Sequence, residues 1–369
     1  MKRITAAVVE EAGGPFVVED VELADPRPDE VLVKVSAVGI CNTDLGAAAG
    51  HYPLTLPAVL GHEGAGVVES VGAGVTKVAP GDHVVLTFNS CGSCDACHTG
   101  RPSYCKQIPV LNASGTRADG STAYTRDTGA RLSGHFFSQS SFATYSLASE
   151  RNVVKVPRDL PLDLLGPLGC GIQTGAGAVL NAMRPRPGQS VAVFGAGSLG
   201  LSSVMAARLA GCGVIVAVDL MAERRELALE LGATHALDGA RDDLTEELRR
   251  ITGEGLDFAV DYTSNTQVVR AAVAALNPLG TCLLGGAAAP GKPIELDMGL
   301  IHLGRTVRGM IEGDSVPDVF VPELIEHYRA GRFPFDRLIS HFAFDQINEA
   351  IKATQSGAAV KAVLTLTES

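Results

Sequence analysis

Short valine-rich runs with alternating polar and apolar positions characterise the first ninety residues of the chain. They cover 30–36, 64–71 and 82–86, and turns rich in glycine, proline and aspartate separate them. Such alternation between turn signals is typical of short strands, so we predict an irregular all-β region. A second apolar-patterned segment, 141–156, continues this region. The intervening 112–134 has little apolar periodicity, and we expect it to be a surface excursion.

From about Leu162 onward, helical and strand-like segments alternate. Strands are predicted at 191–194, 214–218, 234–237, 258–262 and 280–285, and helices at 223–231, 243–252 and 267–276. Alternation of this kind predicts a parallel sheet with helices on both faces. The last part of the chain carries patterns for two helices, 319–330 and 345–354, and for a strand at 360–366.

These patterns predict an α/β protein with two domains. A β-rich domain comprises 1–171 and 313–369, and a doubly wound parallel sheet occupies 172–312. The second domain is therefore inserted in the sequence of the first, to which the C-terminal segment returns.

Composition is that of an ordinary globular protein, with 46% hydrophobic and 19% charged residues in 369. The net charge of −11 argues against nucleic acid and anionic membrane surfaces as partners. The stretch 189–207 is uncharged, but its three glycines and its strand-then-helix pattern argue against a membrane span. The first ten residues are too polar for a signal peptide, and we predict a cytoplasmic protein.

A glycine-rich turn separates the first strand of the alternating region from its helix. Gly195, Gly197 and Gly200 follow the apolar run 191–194, and Asp219 ends the next strand. The first glycine makes a tight turn, the second lets a pyrophosphate approach the backbone, and the third lets helix and strand pack closely. The helix N-terminus then offers N–H groups to phosphate oxygens. This unit predicts dinucleotide binding.

Asp219 predicts which dinucleotide is preferred. A carboxylate accepts hydrogen bonds from the ribose 2′-hydroxyl and repels a 2′-phosphate, so we predict NAD rather than NADP. Arg224 and Arg225 follow closely and could tolerate a phosphate, although a solvated helix face is an equally good interpretation of both.

Four cysteines lie close together at Cys91, Cys94, Cys97 and Cys105. Four thiolates at this spacing can close tetrahedrally around zinc, which is typical of a structural site in a lobe at about 90–106. Disulfides are disfavoured in the cytoplasm. An iron–sulfur cluster and a haem attachment share parts of the pattern, but the late fourth cysteine and the extra flanking cysteines disfavour them.

Three further metal-binding side chains are dispersed, and glycines flank each of them: Cys41, His62 and Cys170. Taken singly, each is more often a buried core residue than a ligand. Together they fit a Cys2His zinc site that keeps a fourth position for water or substrate. Whether they converge depends on the fold.

Several motifs resemble those of the zinc-dependent medium-chain alcohol dehydrogenases, over nearly the whole chain. They are GHEGAGVVESVGAGV, CGSCDACHTGRPSYC, GCGIQTGAGAV and GAGSLG. Within the family, GPLGCGIQTGAGAV, LTFNSCGSC, FFSQSSFATY, EGDSVP and FPFDRLI resemble most the aryl-alcohol and geraniol dehydrogenase branch. That branch oxidises benzyl-type and allylic primary alcohols with NAD.

The resemblance implies a GroES-like catalytic domain beside a Rossmann coenzyme domain, with two zinc ions per chain. Cys41, His62 and Cys170 would hold the catalytic zinc, and the four lobe cysteines the structural zinc. Glu63 would be a nearby, occasionally ligating carboxylate, and Asp44 the hydrogen-bond partner of His62.

Further residues match coenzyme and substrate contacts of the family. Thr43 would receive the substrate proton. Thr174, Arg224 and Lys361 would contact the coenzyme, with Lys361 near the pyrophosphate, although a solvated lysine is nearly as good an interpretation. Phe88 matches a position that faces the substrate in relatives, and Phe136 and Phe137 lie in the branch-specific stretch; each could equally be a core residue.

Two positions depart from the family pattern and leave the proton route open. Asn42 stands where many relatives have histidine or arginine, and Gly46 stands where some have a relay histidine. The proton could leave through Thr43 and the ribose, or through His51, which is more often a surface residue in such a context.

Two other functions remain open at this point. A glutathione-dependent formaldehyde dehydrogenase shares the motifs, and a non-catalytic nucleotide-binding protein could share the fold. The apolar segments 294–296 and 306–310 could extend a sheet across a two-fold axis, as in the family, so we expect a homodimer or homotetramer.

Overall fold

The computed structural model describes residues 1–286 and 291–366. In those ranges the strands are β1 Lys2–Val9, β2 Phe16–Leu23, β3 Glu30–Gly39, β4 Ala58–Val59, β5 Glu63–Val71, β6 His83–Leu86, β7 Tyr124–Thr125, β8 Arg131–Leu132, β9 Tyr145–Ser149, β10 Val153–Lys155, β11 Ser190–Phe194, β12 Val214–Asp219, β13 His235–Asp238, β14 Leu256–Asp261, β15 Leu276–Leu284, β16 Thr306–Gly309, β17 Ile339–Ala343 and β18 Lys361–Thr365. The α-helices are α1 Asn42–Ala48, α2 Asp95–His98, α3 Ile108–Ala113, α4 Leu162–Leu165, α5 Gly171–Gly177, α6 Ser198–Leu209, α7 Ala222–Leu231, α8 Leu244–Thr252, α9 Thr266–Ala274, α10 Met298–His302, α11 Pro317–Arg329 and α12 Ile347–Ser356. No helix in this part of the chain combines the length and the apolar character needed to span a bilayer.

The chain divides into two compact units. The first comprises Met1–Gly171, Val316–Glu323 and the segment from Asp336 onward, and the second comprises Ile172–Ser315 and Leu324–Phe335. The prediction placed 1–171 and 313–369 in one domain, whereas 313–315 and 324–335 belong to the second unit of the structure. Four side chains explain the difference, because they are fully buried there: Leu324, Ile325, Phe333 and Phe335.

Two sheets form the first unit, and β3 organises the larger one. The strands run β10-β6-β5-β3-β18-β17, with β9 also paired to β3. The predicted runs 30–36, 64–71 and 82–86 lie in β3, β5 and β6, as expected. The antiparallel register aligns Gly39 of β3 with Glu63 of β5 and with Val363 of β18. This register brings the residues just beyond Gly39 beside those at the start of β5.

The segment 112–134 is not a surface excursion, so that prediction is wrong. Its two short strands, β7 and β8, complete the smaller sheet, whose order is β4-β1-β2-β7-β8. Tyr124 and Leu132 are fully buried in its core. Arg117 pairs with the buried Glu30 through two hydrogen bonds of 2.6 and 2.8 Å. Ion pairing and strand pairing thus hold a segment that has too few apolar residues to be recognised from periodicity.

His135 lies beside this segment and makes the stability of the folded state depend on pH. Burial, reinforced by Arg117, lowers its pKa to about 4, while Glu30 opposes the shift. Between about pH 6.5 and 4 the unfolded chain binds a proton at His135 that the folded chain does not, so the free energy of unfolding falls as the pH falls. We expect the free energy of unfolding to fall by about 3 kcal/mol between pH 6.5 and pH 4 because of His135 alone.

A denaturant titration at pH 7 and at pH 4.5 measures the effect. His135→Asn removes the titration and keeps a residue type that tolerates the φ of 59° at this position. The variant should lose less stability between the two pH values than the wild type. An equal loss in both proteins would contradict the assignment.

The second unit is built on one parallel sheet. Its order is β13-β12-β11-β14-β15-β16, and every pair is parallel. Strand order reverses at β11, from which the sheet grows in both directions, so the predicted doubly wound sheet is confirmed. All five residues of β11 are buried, as expected for a central strand.

Candidate metal and coenzyme sites

Four ligand-type side chains of the first unit converge: Cys41, His62, Glu63 and Cys170. One ligand atom from each lies within 4.8 Å of the others, and all four residues are buried. Cys41 precedes α1 directly after β3, and the β3–β5 register places it beside the start of β5. A Cβ atom at Gly39 would collide with the Glu63 carboxylate, so this approach requires glycine there.

The histidine of this cluster is oriented by a buried carboxylate. Its Nδ1 lies 2.7 Å from Asp44, whose oxygens also accept the backbone N–H groups of Cys41 and Gly61. Burial is the largest single effect on the pKa of His62 and lowers it, but Asp44 and Cys41 together outweigh burial and leave the pKa well above its usual range. A proton on Nδ1 leaves the Nε2 lone pair for the cluster, as in carboxylate–histidine–metal arrangements.

The donor set suits zinc. Nε2 of His62 is buried and has no hydrogen-bond partner, which a metal ion would supply. The hydrogen bond with Cys170 is the largest effect on the pKa of the Cys41 thiol and, with His62 and Lys361, lowers it well below its usual range against the effect of burial. Two cysteine sulfurs and one imidazole form the Cys2His set of zinc sites that keep an open position.

Glu63 is held away from solvent by a lysine. Both of its carboxylate oxygens accept hydrogen bonds from Lys361, at 2.8 and 2.9 Å, and one also accepts the N–H of Gly171. Burial raises the pKa of Glu63 to about 7, and the charge of Lys361 opposes the shift. The Glu63 carboxylate therefore lies close to Cys41, His62 and Cys170, but it is already paired with the ammonium group of Lys361.

Lys361 is buried, so the interpretation of this residue as a solvated lysine is wrong. It is 2% exposed, and its third hydrogen bond goes to the carbonyl oxygen of Ile40. Three acceptors within its own unit match the three donors of the ammonium group. Pairing of β18 with β3 places this side chain beside Ile40 and Glu63. The coenzyme contact of Lys361 stays a prediction.

The four lobe cysteines form a second cluster. Their sulfur atoms lie within 4.8 Å of one another, and the separations are 3.6 Å for Cys94–Cys97, 3.9 Å for Cys94–Cys105 and 4.0 Å for Cys91–Cys97. Tetrahedral zinc with bonds of about 2.3 Å places its sulfur ligands about 3.8 Å apart. The thiols are free rather than disulfide-bonded. The geometry fits a closed four-thiolate site.

The glycine-rich turn of the second unit has the geometry of a phosphate cradle. Gly195 has a φ of 90°, and a Cβ atom at Gly200 would collide with the carbonyl of Gly195. Around Gly197, by contrast, a Cβ atom would meet nothing within 4 Å, so a ligand can approach the backbone. No side chain caps the N-terminus of α6 at this turn. Its N–H groups are available to phosphate oxygens.

Asp219 ends β12 beside this turn. Its carboxylate accepts the N–H groups of Ala196 and Met221 at 2.7 and 2.8 Å, which fixes its orientation. Arg224 is 7% exposed, and burial lowers its pKa against the charge of Asp219. Arg225 donates to the carbonyl oxygens of Asp219 and Leu220. The interpretation of Arg224 as a solvated residue is therefore wrong.

Comparison with known proteins identifies the family. The chain matches the alcohol dehydrogenase GroES-like domain at 27–158 and the zinc-binding dehydrogenase domain at 198–327. The geraniol dehydrogenase of Castellaniella defragrans is 48% identical over 362 residues, which are 97% of this chain and 96% of that protein. The chain belongs to the zinc-dependent medium-chain alcohol dehydrogenases.

Two solved structures of similar dehydrogenases cover the whole chain. An alcohol dehydrogenase zinc-binding domain protein from Burkholderia ambifaria is 50% identical with a TM-score of 0.98, and the two chains cover each other fully. The benzyl alcohol dehydrogenase of Acinetobacter calcoaceticus is 43% identical with a TM-score of 0.96 and the same coverage. These matches confirm the GroES-like and Rossmann fold classes and the predicted aryl-alcohol and geraniol dehydrogenase branch. They support an alcohol dehydrogenase enzyme rather than the non-catalytic alternative.

Aromatic side chains of this dehydrogenase pack on the ring of His62. Phe137 stacks on it with ring centroids 4.4 Å apart, and Phe136 meets it edge-on at 5.7 Å. Phe88 is also buried. Apolar aromatic side chains thus line one side of the candidate metal site formed by Cys41, His62, Glu63 and Cys170.

The segment that carries these rings is held in an unfavourable backbone conformation. Positive φ values of 49–59° occur at four residues that are not glycine: His135, Phe137, Ser138 and Ser140. Such strain persists only where surrounding contacts fix it. Asn152 provides one such contact by donating to the carbonyl oxygen of Phe137 at 3.0 Å.

Sequence reasoning missed two residues near the dehydrogenase's metal cluster. Gln139 donates to the carbonyl oxygen of His62 at 3.0 Å and accepts the N–H of Gly64 at 3.2 Å, so it fixes the backbone of a ligand. Its place in FFSQSSFATY, a segment that resembles the aryl-alcohol and geraniol dehydrogenase branch, is the one sequence feature that could have indicated this role. Tyr52 meets Phe136 edge-on with ring centroids 5.9 Å apart and lies beside Gly46, and nothing in the pattern of the loop indicates these contacts.

Proposed function

We propose that this dehydrogenase oxidises aromatic or allylic primary alcohols, of the benzyl, cinnamyl or geraniol type, to aldehydes and transfers hydride to NAD. The observation that carries the proposal is the unpartnered Nε2 of His62, which lies beside two cysteine sulfurs and under the ring of Phe137. Relatives named geraniol dehydrogenase and benzyl alcohol dehydrogenase support the substrate class.

Cys41, His62 and Cys170 would hold the catalytic zinc, with Glu63 as a nearby carboxylate, and the lobe cysteines would hold a second, structural zinc. Zinc in a site with an open position polarises a bound alcohol oxygen and lowers its pKa. Asp44 keeps the imidazole in the tautomer that presents Nε2. The thiolates of Cys41 and Cys170 would offset the charge of the ion.

Thr43 would accept the alcohol proton. Its hydroxyl lies 3.7 Å from the sulfur of Cys41, at the first turn of α1, so it borders the cluster without being a ligand. A hydroxyl can accept one proton while giving up its own, which suits it to pass charge away from a buried site.

The coenzyme would bind on the second unit. Gly195, Gly197 and Gly200 would receive the pyrophosphate at the N-terminus of α6, and Asp219 would accept the ribose hydroxyls. Arg224 and Thr174 would make further contacts. The Thr174 hydroxyl donates to Glu312 at 3.3 Å, which orients it.

Asp219 should decide the coenzyme preference. Asp219→Asn keeps the shape and one acceptor but removes the charge that repels a 2′-phosphate, so the preference for NAD over NADP in kcat/KM should fall at least tenfold, as expected for a hydrogen bond to a charged group. Asp243→Asn, at the exposed start of α8, is the matched control and should leave the ratio unchanged. A wild type that uses NADP as well as NAD would contradict the assignment.

A substrate panel tests the proposed activity. Benzyl, cinnamyl, geraniol and short aliphatic alcohols are assayed with NAD and with NADP, with and without glutathione. We expect the highest kcat/KM for the aromatic and allylic alcohols with NAD, independent of glutathione. Turnover that requires glutathione and formaldehyde would favour the alternative formaldehyde dehydrogenase, and the absence of alcohol turnover would overturn the proposal.

The parallel sheet of the second unit supports assembly into a homodimer or homotetramer. β16 is its last strand in the described chain, and the large apolar residues Leu279, Met298 and Leu303 are 80%, 86% and 51% exposed. An edge strand with exposed apolar neighbours is suited to pairing with a second copy. Sedimentation at micromolar concentration tests this, and a monomer would contradict it. The cytoplasmic location stays a prediction.

A further inference from the structure

The side-chain amide of Gln139 lies where β5 and β6 separate. The antiparallel register of these strands ends, on the side of the metal cluster, with the pair Ala65 and Val85. Past this pair, the carbonyl oxygens of His62 and Thr87 both accept hydrogen bonds from Nε2 of Gln139, at 3.0 and 3.2 Å. The amide therefore joins the two chain segments beyond the end of their backbone ladder.

The hydrogen bonds of this amide fix its orientation. Gln139 is fully buried, and its Oε1 accepts the N–H of Gly64 at 3.2 Å and the hydroxyl of Ser141 at 3.0 Å. Carbonyl oxygens only accept and a backbone N–H only donates, so a reversed amide would lose its contacts with His62, Thr87 and Gly64. Both donors and both lone pairs of the amide are used, which leaves the side chain one stable position.

The backbone of Gln139 is held from another side. Its carbonyl oxygen accepts the hydroxyl of Ser146 at 2.5 Å and the phenol of Tyr124 at 3.4 Å. Both partners are fully buried, in β9 and β7. The amide thus acts on the metal cluster from a position that the rest of its unit fixes.

The hydroxyl of Thr87 carries the contact on to a second ligand. It donates to the carbonyl oxygen of Gly169 at 2.6 Å, and Cys170 follows directly in the chain. A Cβ atom at Gly169 would collide with the last carbonyl group of β6, so this close approach requires glycine. Through Thr87, the amide that holds the backbone of His62 also holds the residue before Cys170.

We propose that Gln139 is a positioning residue for the catalytic zinc site. It fixes His62 directly, and it fixes Cys170 through Thr87. This inference rests on the proposed zinc-dependent oxidation. The β5–β6 ladder ends before it reaches either ligand, so the amide sets the spacing between the segments that carry them. Contacts that orient metal ligands change metal affinity or activity by about 10- to 100-fold when they are removed.

Gln139→Met tests the proposal because it keeps the length of the side chain and removes the bridging amide. We expect the catalytic site to release zinc about tenfold faster or more when a chelator is added to the holoenzyme. The release phase that is missing in Cys97→Ser belongs to the lobe, which separates the two sites. With cobalt in place of zinc, the visible d–d bands should shift, because their energies depend on ligand geometry. Neither readout depends on alcohol turnover.

Thr144→Val is the matched control. It removes a half-buried hydroxyl whose hydrogen bonds, of 3.1 and 3.3 Å, go to the backbone of Thr5 in the same unit. The thermal unfolding midpoint should fall in this variant, while zinc release and the cobalt bands stay as in the wild type. If Gln139→Met does not fold, Gln139→Glu replaces it, since glutamate keeps the acceptor for Gly64 and loses the amide donors. The same two changes are expected.

Thr87→Val tests the link to Cys170. It keeps the shape of the side chain and the carbonyl group that Gln139 holds, but it removes the hydrogen bond to Gly169. Zinc release should again be faster. In the double variant with Gln139→Met, the acceleration should be smaller than the product of the two single factors, because both side chains act in one chain of contacts. Factors that multiply would overturn the bridge.

The outcomes distinguish this inference from the proposed function. A wild type that holds no zinc at Cys41, His62 and Cys170, or that does not turn over alcohols, overturns the proposed function. A wild type with zinc and turnover, together with Gln139 variants that keep the wild-type release rate or the wild-type cobalt bands, overturns the role of Gln139 alone. Equal changes in Thr144→Val also overturn it, since they would mark a general loss of stability.

Discussion

Cys41→Ser and His62→Ala each lower kcat/KM for alcohol oxidation by about a thousandfold or more, because a Lewis acid supplies several kcal/mol of stabilisation to the reacting oxygen. Serine is a poor ligand for zinc, and alanine offers none. Both side chains lie at one end of β3 and β5, where the strand register is set by the sheet. We therefore expect the fold to survive while the metal is lost.

Zinc analysis and circular dichroism accompany the kinetics. The variants should hold one zinc per chain where the wild type holds two, with unchanged secondary structure. Cys212→Ser is the matched control, since this half-buried thiol belongs to neither cluster. It should retain two zinc ions and full activity. Undiminished turnover in Cys41→Ser or His62→Ala would refute the assignment of the catalytic site.

Cys97→Ser should unfold the lobe at about 90–106 locally and leave the catalytic zinc bound. α2, at the centre of the lobe, has four residues and no buried side chain. Such a segment lacks an apolar core of its own, so its order depends on the metal, whose binding contributes roughly 10 kcal/mol in small thiolate sites. Amide exchange at 94–105 should accelerate at least a thousandfold.

Hydrogen exchange read by mass spectrometry measures this change peptide by peptide. The strands of the first unit should keep their protection, and metal content should fall from two zinc ions to one. Cys212→Ser again serves as the control, with no change in either quantity. Retained protection of the lobe in a protein that has lost one zinc would show that packing, rather than the metal, orders it.

The chemistry that is local in sequence could be predicted from the sequence. The four lobe cysteines lie within fifteen residues, and the glycine turn, its helix and Asp219 form one strand–helix–strand unit. Short-range spacing fixes which of these atoms can meet, because few backbone conformations connect them. The alternation of helices and strands likewise determined the parallel sheet, whose strands pair only in one order once the connections are right-handed.

Residues far apart in sequence meet through the pairing register of β3, which periodicity does not encode. A shift of that register by one residue would turn the side chains to the opposite face. The register decides that Cys41 meets His62, and the pairing of β18 with β3 buries Lys361 against Glu63.

The sequence by itself determined the two domain types and indicated the lobe, the phosphate turn and the candidate metal ligands, because each depends on spacing or residue type. Only the tertiary structure decided where 112–134 and Lys361 lie and which ring packs beside Gly46. Those contacts depend on the pairing of distant strands and on which side chain fills the space beside Gly46, and no local pattern carries that information.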